Sequence, residues 1–303
     1  MTVTASRPVE RVIASKPASA GTLSVRRALP EAGRRSVGPW VFLDHFGPAR
    51  IAAGDEGVGP HPHAGIETVT YLLSGRNEHR DSAGHEGIVT AGGAQWMTAG
   101  RGIVHAERPL ADESGEVTQH GLQLWTSLPR ALKMMPPRYR AIDAASIPVV
   151  ELAGATVRVI AGEVAGAKGP AEMLMPLFLA HVSVAPGASV SLEVAACHEA
   201  AAYVFAGEGG FGPEAGTRAA TGELVVYADA GDAIAARTAG EEPLELLILG
   251  GAPAEGPLVF HGPFVMNSME QARAADVAFR SGRMGTLAPA PEPVGAIAKG
   301  AVQ

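Results

Sequence analysis

The chain has 303 residues, enough for two domains of roughly 150 residues or for one large, internally duplicated all-β unit. Hydrophobic residues make up 47% of it and charged residues 18%, and no apolar run approaches the roughly 20 residues that span a bilayer, so we expect a soluble protein that does not enter a membrane. A formal net charge of −7 argues against direct binding to nucleic acid, which requires a basic face.

The N-terminal stretch indicates the compartment of the protein. Arg7 and Arg11 stand where a secretory signal would need an apolar centre. We therefore expect a cytoplasmic protein.

Short runs rich in Val, Leu, Ile and Thr follow one another along most of the chain. The 38 glycines and 23 prolines separate these runs at close intervals. Regularly spaced turns between short strands are typical of an antiparallel sandwich or barrel, so we predict an all-β fold. The runs are ETVTYLLSG, EGIVTAGGAQWM, GLQLWTSL, ATVRVIAGEV, FLAHVSVAPGASVSLEV, AAYVFAGEG, ELVVYADAGDAIAARTA and LELLILGG.

The stretch HPHAGIE contains the first candidate ligands, His61 and His63. Residues two apart on a strand point to the same face, so both imidazoles can reach one point while Pro62 points away. Glu67 shares their parity and lies on the same face if no bulge intervenes. Taken alone, the pair is also consistent with surface histidines or hydrogen-bonded core histidines.

The stretch GRGIVHAERP contains a second pair at the same spacing, His105 and Glu107. If the strands that carry the two pairs face each other inside a barrel, three imidazoles and one carboxylate converge. Such a set suits Fe, Mn, Ni, Cu or Zn and leaves coordination positions open for a substrate. The alternative is a hydrogen-bonded His–Glu pair at a strand end with a structural role only.

A proline-containing segment divides the chain nearly in half. Pro136 and Pro148 interrupt the rhythm of strands there, and we interpret residues 136–149 as a linker. The linker separates an N-terminal domain, residues 1–135, which contains the candidate ligands, from a C-terminal domain, residues 150–285.

The C-terminal domain contains the single cysteine and the one clear helical pattern. Cys197 cannot form an internal disulfide or supply a cysteine-rich zinc site, so any metal would be held by histidine and carboxylate. In SMEQARAADVAFRSGRMG, Asn267 or Ser268 can cap a helix that Gly282 or Gly285 ends. The Ala/Pro-rich residues 286–303 show no apolar period and predict a flexible tail.

The two halves show a short internal repeat. Aligning Tyr71–Gly75 with Tyr203–Gly207 also places Glu67 on Glu199, whereas His61 falls on Glu193 and His63 on Ala195. The pattern indicates a duplicated domain in which only the first copy keeps its imidazoles.

Two motifs resemble the metal-binding motifs of the cupin superfamily, namely H-x-H-x-x-x-E at His61–Glu67 and G-x-x-H at Gly102–His105. Longer blocks look like the pirin family, and that similarity extends from about Val25 to the end of the helix near Gly285. The blocks are VGPWVFLDHFGP, HPHAGIETVTYLLSG, HRDSAGHEGIVTAGGAQWMTAGRGIVHAE and HGPFVMNSMEQA.

The resemblance to pirins implies a bicupin, that is, two tandem jelly-roll β-barrels with a metal in the first. It implies one divalent transition metal, iron(II) before manganese, nickel, cobalt, copper or zinc. The pirin pattern makes His61, His63, His105 and Glu107 the ligands. The commoner cupin pattern would use Glu67 as the carboxylate ligand, which the pirin pattern leaves as a neighbour of the ligands.

Proteins that resemble pirin are associated with quercetin 2,3-dioxygenase activity, in which a flavonol binds the metal and O2 opens its heterocycle. The resemblance thus implies a metal-dependent oxidoreductase with a flavonol and O2 as substrates, and we hypothesise that Glu107 is the catalytic base. Two alternatives stay open. One is a non-enzymatic, metal- or redox-responsive co-regulator that docks on a protein partner. The other is an enzyme that acts on another small oxygenated metabolite.

Overall fold

Antiparallel strands form nearly all of the regular structure, as the sequence predicts. The computed structural model describes residues 5–52, 55, 57–112 and 114–287, so nearly all of the predicted tail lies outside the described residues. The first eleven strands are β1 Val9–Ala14, β2 Lys16–Ala20, β3 Leu23–Leu29, β4 Trp40–Arg50, β5 Val58–His63, β6 Ile66–Asp81, β7 Glu86–Thr90, β8 Ala94–Thr98, β9 Ile103–Leu110, β10 Thr118–Ser127 and β11 Arg138–Ile142.

The second half of the chain repeats this pattern with shorter strands, then ends in a hairpin and a helix. The strands are β12 Val149–Leu152, β13 Ala155–Ala161, β14 Glu163–Val164, β15 Ala167–Lys168, β16 Leu177–Val184, β17 Ser189–Glu193, β18 Glu199–Ala206, β19 Glu208–Phe211, β20 Thr217–Ala220, β21 Glu223–Tyr227, β22 Ala233–Thr238, β23 Leu244–Gly251, β24 Val259–His261 and β25 Phe264–Met266. The helices are α1 Met269–Arg280 and three short 3-10 helices, Arg130–Leu132, Ala144–Ser146 and Pro213–Ala215.

The sheets confirm the duplication, because the strand orders of the two halves correspond position by position. One large sheet has the order β11-β8-β6-β10-β4-β3-β2, and the other has the order β1-β21-β18-β23-β16-β13-β12. Each barrel is completed by a smaller sheet. In the first barrel its order is β7-β6-β9-β5, where β6 continues from the large sheet, and in the second it is β20-β19-β22-β17. The described residues therefore form two β-barrels of the same topology, as the resemblance implies.

The two large sheets pack face to face through an apolar layer that contains Trp40 and Leu43 of the first and Leu179 and Leu249 of the second. Two reciprocal hydrogen bonds cross this layer. The Tyr71 hydroxyl lies 2.9 Å from His181 Nδ1, and the Tyr203 hydroxyl lies 3.2 Å from His45 Nδ1. Tyr71 and Tyr203 are the two residues that the sequence alignment superimposes, so the repeat extends to side-chain contacts.

The C-terminal helix has the predicted start. Ser268 caps it, because its hydroxyl accepts a hydrogen bond of 3.1 Å from the backbone N–H of Gln271. Ala272 and Ala275 are buried against Ala64 and Val104 of the first barrel. Within the described ranges, every helix is too short or too polar to traverse a lipid bilayer.

Two strands cross the domain boundaries that the sequence suggests. β1 lies in residues 1–135 but pairs with β21 of the second barrel, and β11 lies in the predicted linker but pairs with β8 of the first. We therefore propose a division by sheet, with β1 assigned to the second barrel and β11 to the first. The positions of the prolines indicated a boundary near the middle of the chain, but they gave no signal for these strand pairings.

Candidate metal centre

Three histidines from two neighbouring strands meet inside the first barrel. His61 and His63 lie at the end of β5, and His105 lies on β9, directly opposite His61 in the antiparallel register. One ring nitrogen of each lies within 4.8 Å of the others. Among the described residues, this is the one group of three or more such side chains with ligand atoms this close together.

The hydrogen bonds of two of these imidazoles leave Nε2 free for a metal. His61 Nδ1 lies 2.8 Å from the carbonyl oxygen of Gly59, and His63 Nδ1 lies 3.2 Å from that of Pro263. A carbonyl oxygen only accepts, so in each ring Nδ1 carries the proton and Nε2 carries the lone pair. This is the arrangement by which metal-bound histidines are usually oriented.

The third imidazole supplies a direct test of whether a metal fits. His105 is 1% exposed, and its Nε2 has no hydrogen-bond partner among the described residues. Buried polar atoms are rarely left unpaired in folded proteins. A divalent transition ion between the three Nε2 atoms would satisfy this nitrogen, so the residues present fit such a metal.

The barrel keeps His63 and His105 neutral, as metal ligation requires. Burial, together with the nearby His61, lowers the pKa of His63 to about 3. Burial and the surrounding imidazoles also hold the pKa of His105 well below its ordinary value. Both lone pairs therefore remain available at neutral pH.

The depressed pKa of His63 predicts a pH-dependent stability of the metal-free protein. The unfolded chain takes up a proton near pH 6.5, whereas folded His63 does so only near pH 3, so its contribution to stability is complete above pH 6.5 and is lost as pH falls through this window. By pH 5 the loss should be about 2 kcal/mol.

Urea denaturation of wild type and His63→Gln at pH 7 and pH 5 measures this effect. The free energy of unfolding of the variant should fall less between the two pH values. The exposed His261→Gln control should follow wild type. Equal losses in wild type and His63→Gln would contradict the prediction.

Glu107 lines the same cavity as His61 and His63, but its carboxylate lies outside the cluster of mutually close ligand atoms. Its Oε1 accepts hydrogen bonds from the Thr70 hydroxyl, at 2.9 Å, from the amide of Gln95, and from Asn77 Nδ2 at 3.5 Å. The structure thus brings Glu107 to the site, and its role as fourth ligand stays a prediction.

The structure corrects the expectation that Glu67 lies on the same face as the two histidines. The Glu67 carboxylate accepts hydrogen bonds from Thr98 at 2.7 Å and from Thr126 at 3.3 Å. Thr70, three residues further along a regular part of β6, contacts Glu107 in the barrel interior, so Glu67 faces the opposite side of the sheet. The parity rule fails because the turn at Gly65 separates β5 from β6.

The C-terminal hairpin β24–β25 forms one wall of the metal centre. Pro263, between its two strands, supplies the carbonyl that orients His63. Next to it, the buried ammonium of Lys133 donates to the carbonyl oxygens of Gly65 and Val265 at 2.8 Å each and to Ser127 Oγ at 3.0 Å. Lys133 thus joins the turn after His63 to the hairpin, although burial lowers its pKa to about 8.

Replacing Lys133 with methionine should lower the free energy of unfolding by roughly 2–4 kcal/mol, because two buried carbonyls lose a charged donor. Guanidinium denaturation measures the change. Lys168→Met removes an exposed lysine of the second barrel and should have almost no effect. A Lys133→Met protein as stable as wild type would show that this ammonium does not join the hairpin to the barrel.

Sequence reasoning missed several contacts of the centre. Lys133 had no pattern that sets it apart from surface lysines, and the Pro263 carbonyl belongs to the backbone. Thr70 and Gln95 lie opposite each other on β6 and β8, but their approach to Glu107 depends on how the barrel closes. A usable signal was present at His79 and Asp81, which repeat the two-residue spacing of the ligand pairs.

Comparison with known proteins agrees with this geometry. The family model for pirin matches residues 22–126, and the model for the pirin C-terminal cupin domain matches residues 179–285. A pirin-like protein of Solanum lycopersicum is 35% identical over 92% of this chain and 94% of its own length. Pirin of Homo sapiens is 33% identical over 92% of this chain and 94% of its own length.

Among solved structures, a quercetin 2,3-dioxygenase from Acinetobacter baumannii matches with a TM-score of 0.86 and 30% identity. The match covers 92% of this chain and 99% of that one. Both family models, the curated relatives and the solved structure agree with the two-barrel fold. The chain belongs to the pirin family of the cupin superfamily.

Proposed function

We propose that this protein is a metal-dependent dioxygenase that cleaves flavonols such as quercetin, with iron(II) held by His61, His63, His105 and Glu107. The observation that carries the proposal is a cavity of about 600 Å³ onto which His61, His63 and Glu107 all open. This volume lies in the range of cavities that enclose small organic ligands. The 30% identical quercetin 2,3-dioxygenase supports the choice of substrate class.

The walls of this cavity suit a flat aromatic ligand. Phe42 and Trp125 stack with ring centroids 4.0 Å apart, and Trp125 and His63 meet edge to face with ring centroids 4.8 Å apart. His63, Trp125 and Phe42 thus form a row of rings, and the Arg27 guanidinium lies over Phe42 at its far end, 4.5 Å from the ring centroid. A planar ligand can therefore lie along an aromatic wall that leads to the metal centre.

The cavity also offers polar side chains for hydroxyl groups. Gln119 and Gln123 line it, and Gln119 Oε1 is buried with no hydrogen-bond partner among the described residues. The side-chain amides of these two residues can hydrogen-bond to a phenolic hydroxyl. This favours a hydroxylated aromatic substrate over a purely apolar one.

When bound, the metal would act as a Lewis acid that lowers the pKa of a flavonol hydroxyl and holds the ring beside O2. Two acidic residues line the cavity, Asp44, which is paired with Arg27, and Glu107. We assign to Glu107 the role of base for that hydroxyl. Because Thr70, Asn77 and Gln95 all donate to Oε1, the incoming proton would go to Oε2. The barrel wall meanwhile excludes water from His63 and His105, which are buried.

The test is anaerobic loading of the purified protein with iron(II), followed by addition of oxygenated buffer and quercetin. We expect loss of flavonol absorbance together with formation of carbon monoxide. A protein that binds metal but shows no turnover with iron, manganese, nickel, cobalt or copper would contradict the dioxygenase assignment. That result would instead favour a metal-responsive regulator that docks on a protein partner.

A further inference from the structure

A line of buried polar side chains runs from the first barrel wall to one of the candidate ligands. Asp81 and His79 lie two apart on β6, and Asp81 is directly opposite His105 in the register with β9. Asp81 Oδ2 lies 3.2 Å from His79 Nε2, and His79 Nδ1 lies 3.5 Å from His105 Nδ1. Their exposures are 5% for Asp81 and 1% for each histidine, so the line is shielded from water.

The chemistry of these groups fixes where each proton lies. A carboxylate only accepts, so His79, as the neutral imidazole, carries its single proton on Nε2 and donates it to Asp81. Its Nδ1 is then an acceptor, which requires the proton of His105 to be on Nδ1. His105 Nε2 is thereby left with a lone pair inside the cluster of three imidazoles, where this atom has no partner among the described residues.

Neighbouring contacts hold the line in place. The ring of His79 stacks on Tyr139 with centroids 4.1 Å apart and an angle of 8°. Asp81 Oδ1 accepts from the backbone N–H groups of Ala83 at 2.9 Å and His85 at 3.1 Å, which sets the plane of its carboxylate. Neither the ring nor the carboxylate can turn without losing these contacts.

We propose that Asp81 and His79 are positioning residues that set the tautomer of His105 and so present its Nε2 to the metal. The proposal rests on the metal centre of the proposed function but not on the reaction assigned to it. In His61 and His63, a single backbone carbonyl sets the tautomer of the ring. In His105, two side chains in series set it.

The variant Asp81→Asn tests this directly, because it changes the proton pattern and keeps the shape. Its Oδ1 can still accept from the backbone N–H groups of Ala83 and His85, which places the amide N–H₂ at the position of Oδ2. The two amide hydrogens then point toward His79 Nε2 and toward the His85 ring, whose Nδ1 lies 2.9 Å from Oδ2. His79 Nε2 must then accept, its Nδ1 must donate, and the proton of His105 moves to Nε2, where it competes with the metal. We expect metal affinity to fall by about 10- to 100-fold.

Two measurements follow this change. Competition with a chelator under anaerobic conditions gives the affinity for iron(II). Long-range ¹⁵N–¹H spectra of the metal-free protein give the tautomer of His105, which should be protonated on Nδ1 in wild type and on Nε2 in Asp81→Asn. A purely structural role for Asp81 would leave the tautomer unchanged.

Asp112→Asn is the matched control. Asp112 also accepts backbone N–H groups of a turn, from Ser114 at 2.8 Å and Glu116 at 3.2 Å, but it is exposed. Its variant should keep wild-type affinity and the wild-type His105 tautomer. If Asp81→Asn does not fold, His79→Phe keeps the ring on Tyr139 while it removes both hydrogen bonds, and metal affinity should fall to a similar degree.

Wild-type affinity in folded Asp81→Asn, or in folded His79→Phe, would overturn the proposal, as would an unchanged His105 tautomer in Asp81→Asn. The spectra of the metal-free protein keep this test separate from the proposed function. A wild-type protein that binds metal and shows the Nδ1–H tautomer but cleaves no flavonol would refute the reaction alone. If His105 of the wild-type protein were protonated on Nε2, the proposed role of Asp81 and His79 would be refuted.

Discussion

Replacing His61 with alanine is expected to lower the affinity of the protein for iron(II) by about 100-fold or more, since the ligands of a transition metal share a binding free energy on the order of 10 kcal/mol. His61 is the best of the three imidazoles to remove, because it is only partly buried and its loss leaves no closed cavity in the core. Anaerobic competition with a chelator gives the affinity, and circular dichroism verifies the fold.

The duplication supplies a matched control for this experiment. Glu193 occupies the position of His61 in the second barrel, at the end of β17, and pairs with Ala233 where His61 pairs with His105. Glu193→Ala should bind iron(II) as tightly as wild type. Equal affinity in His61→Ala and wild type would exclude His61 as a ligand and with it the predicted site.

Replacing Glu107 with glutamine should lower flavonol turnover by about 10²- to 10⁴-fold, the usual contribution of a positioned base. Glutamine keeps an oxygen that can accept from Thr70 and Asn77, so the protein should fold and the three imidazoles should retain metal. Elemental analysis gives the metal content, and the decay of flavonol absorbance gives the rate. Normal turnover in this variant would show that Glu107 is not the base.

Glu67→Gln is the corresponding control, since both carboxylates are buried and belong to the first barrel. Glu67 faces Thr98 and Thr126 on the other side of the sheet, where burial raises its pKa. Its amide should leave both metal content and turnover within about twofold of wild type. A loss of metal in Glu67→Gln would instead support the commoner cupin pattern, in which this glutamate is a ligand.

The local pattern of the chain predicted most of the fold. Short alternating runs between glycine and proline residues indicated antiparallel strands, because side chains alternate between the two faces of a strand. Ser268 and the residues after it predicted the C-terminal helix through capping chemistry that involves only its first turn. The repeat around Tyr71 and Tyr203 indicated the duplication that the two sheet orders display.

The same local reasoning brought His61, His63 and His105 together, although β5 and β9 are paired neighbours in one sheet and do not face each other across the barrel. It failed for Glu67, because parity is counted along a continuous strand and the chain turns at Gly65 before β6 begins. Nothing in the pattern HPHAGIE states where one strand ends and the next begins.

Long-range packing decided the rest. β1 pairs with the second barrel and β11 with the first, although no local pattern indicates either pairing. The same holds for two side-chain contacts: the Pro263 carbonyl contacts His63, and the Lys133 ammonium joins Gly65 to Val265. Periodicity and capping describe energies between residues that are close along the chain. These contacts exist because two barrels close and pack, which brings together groups up to 218 residues apart, as in the pairing of Val9 with Tyr227.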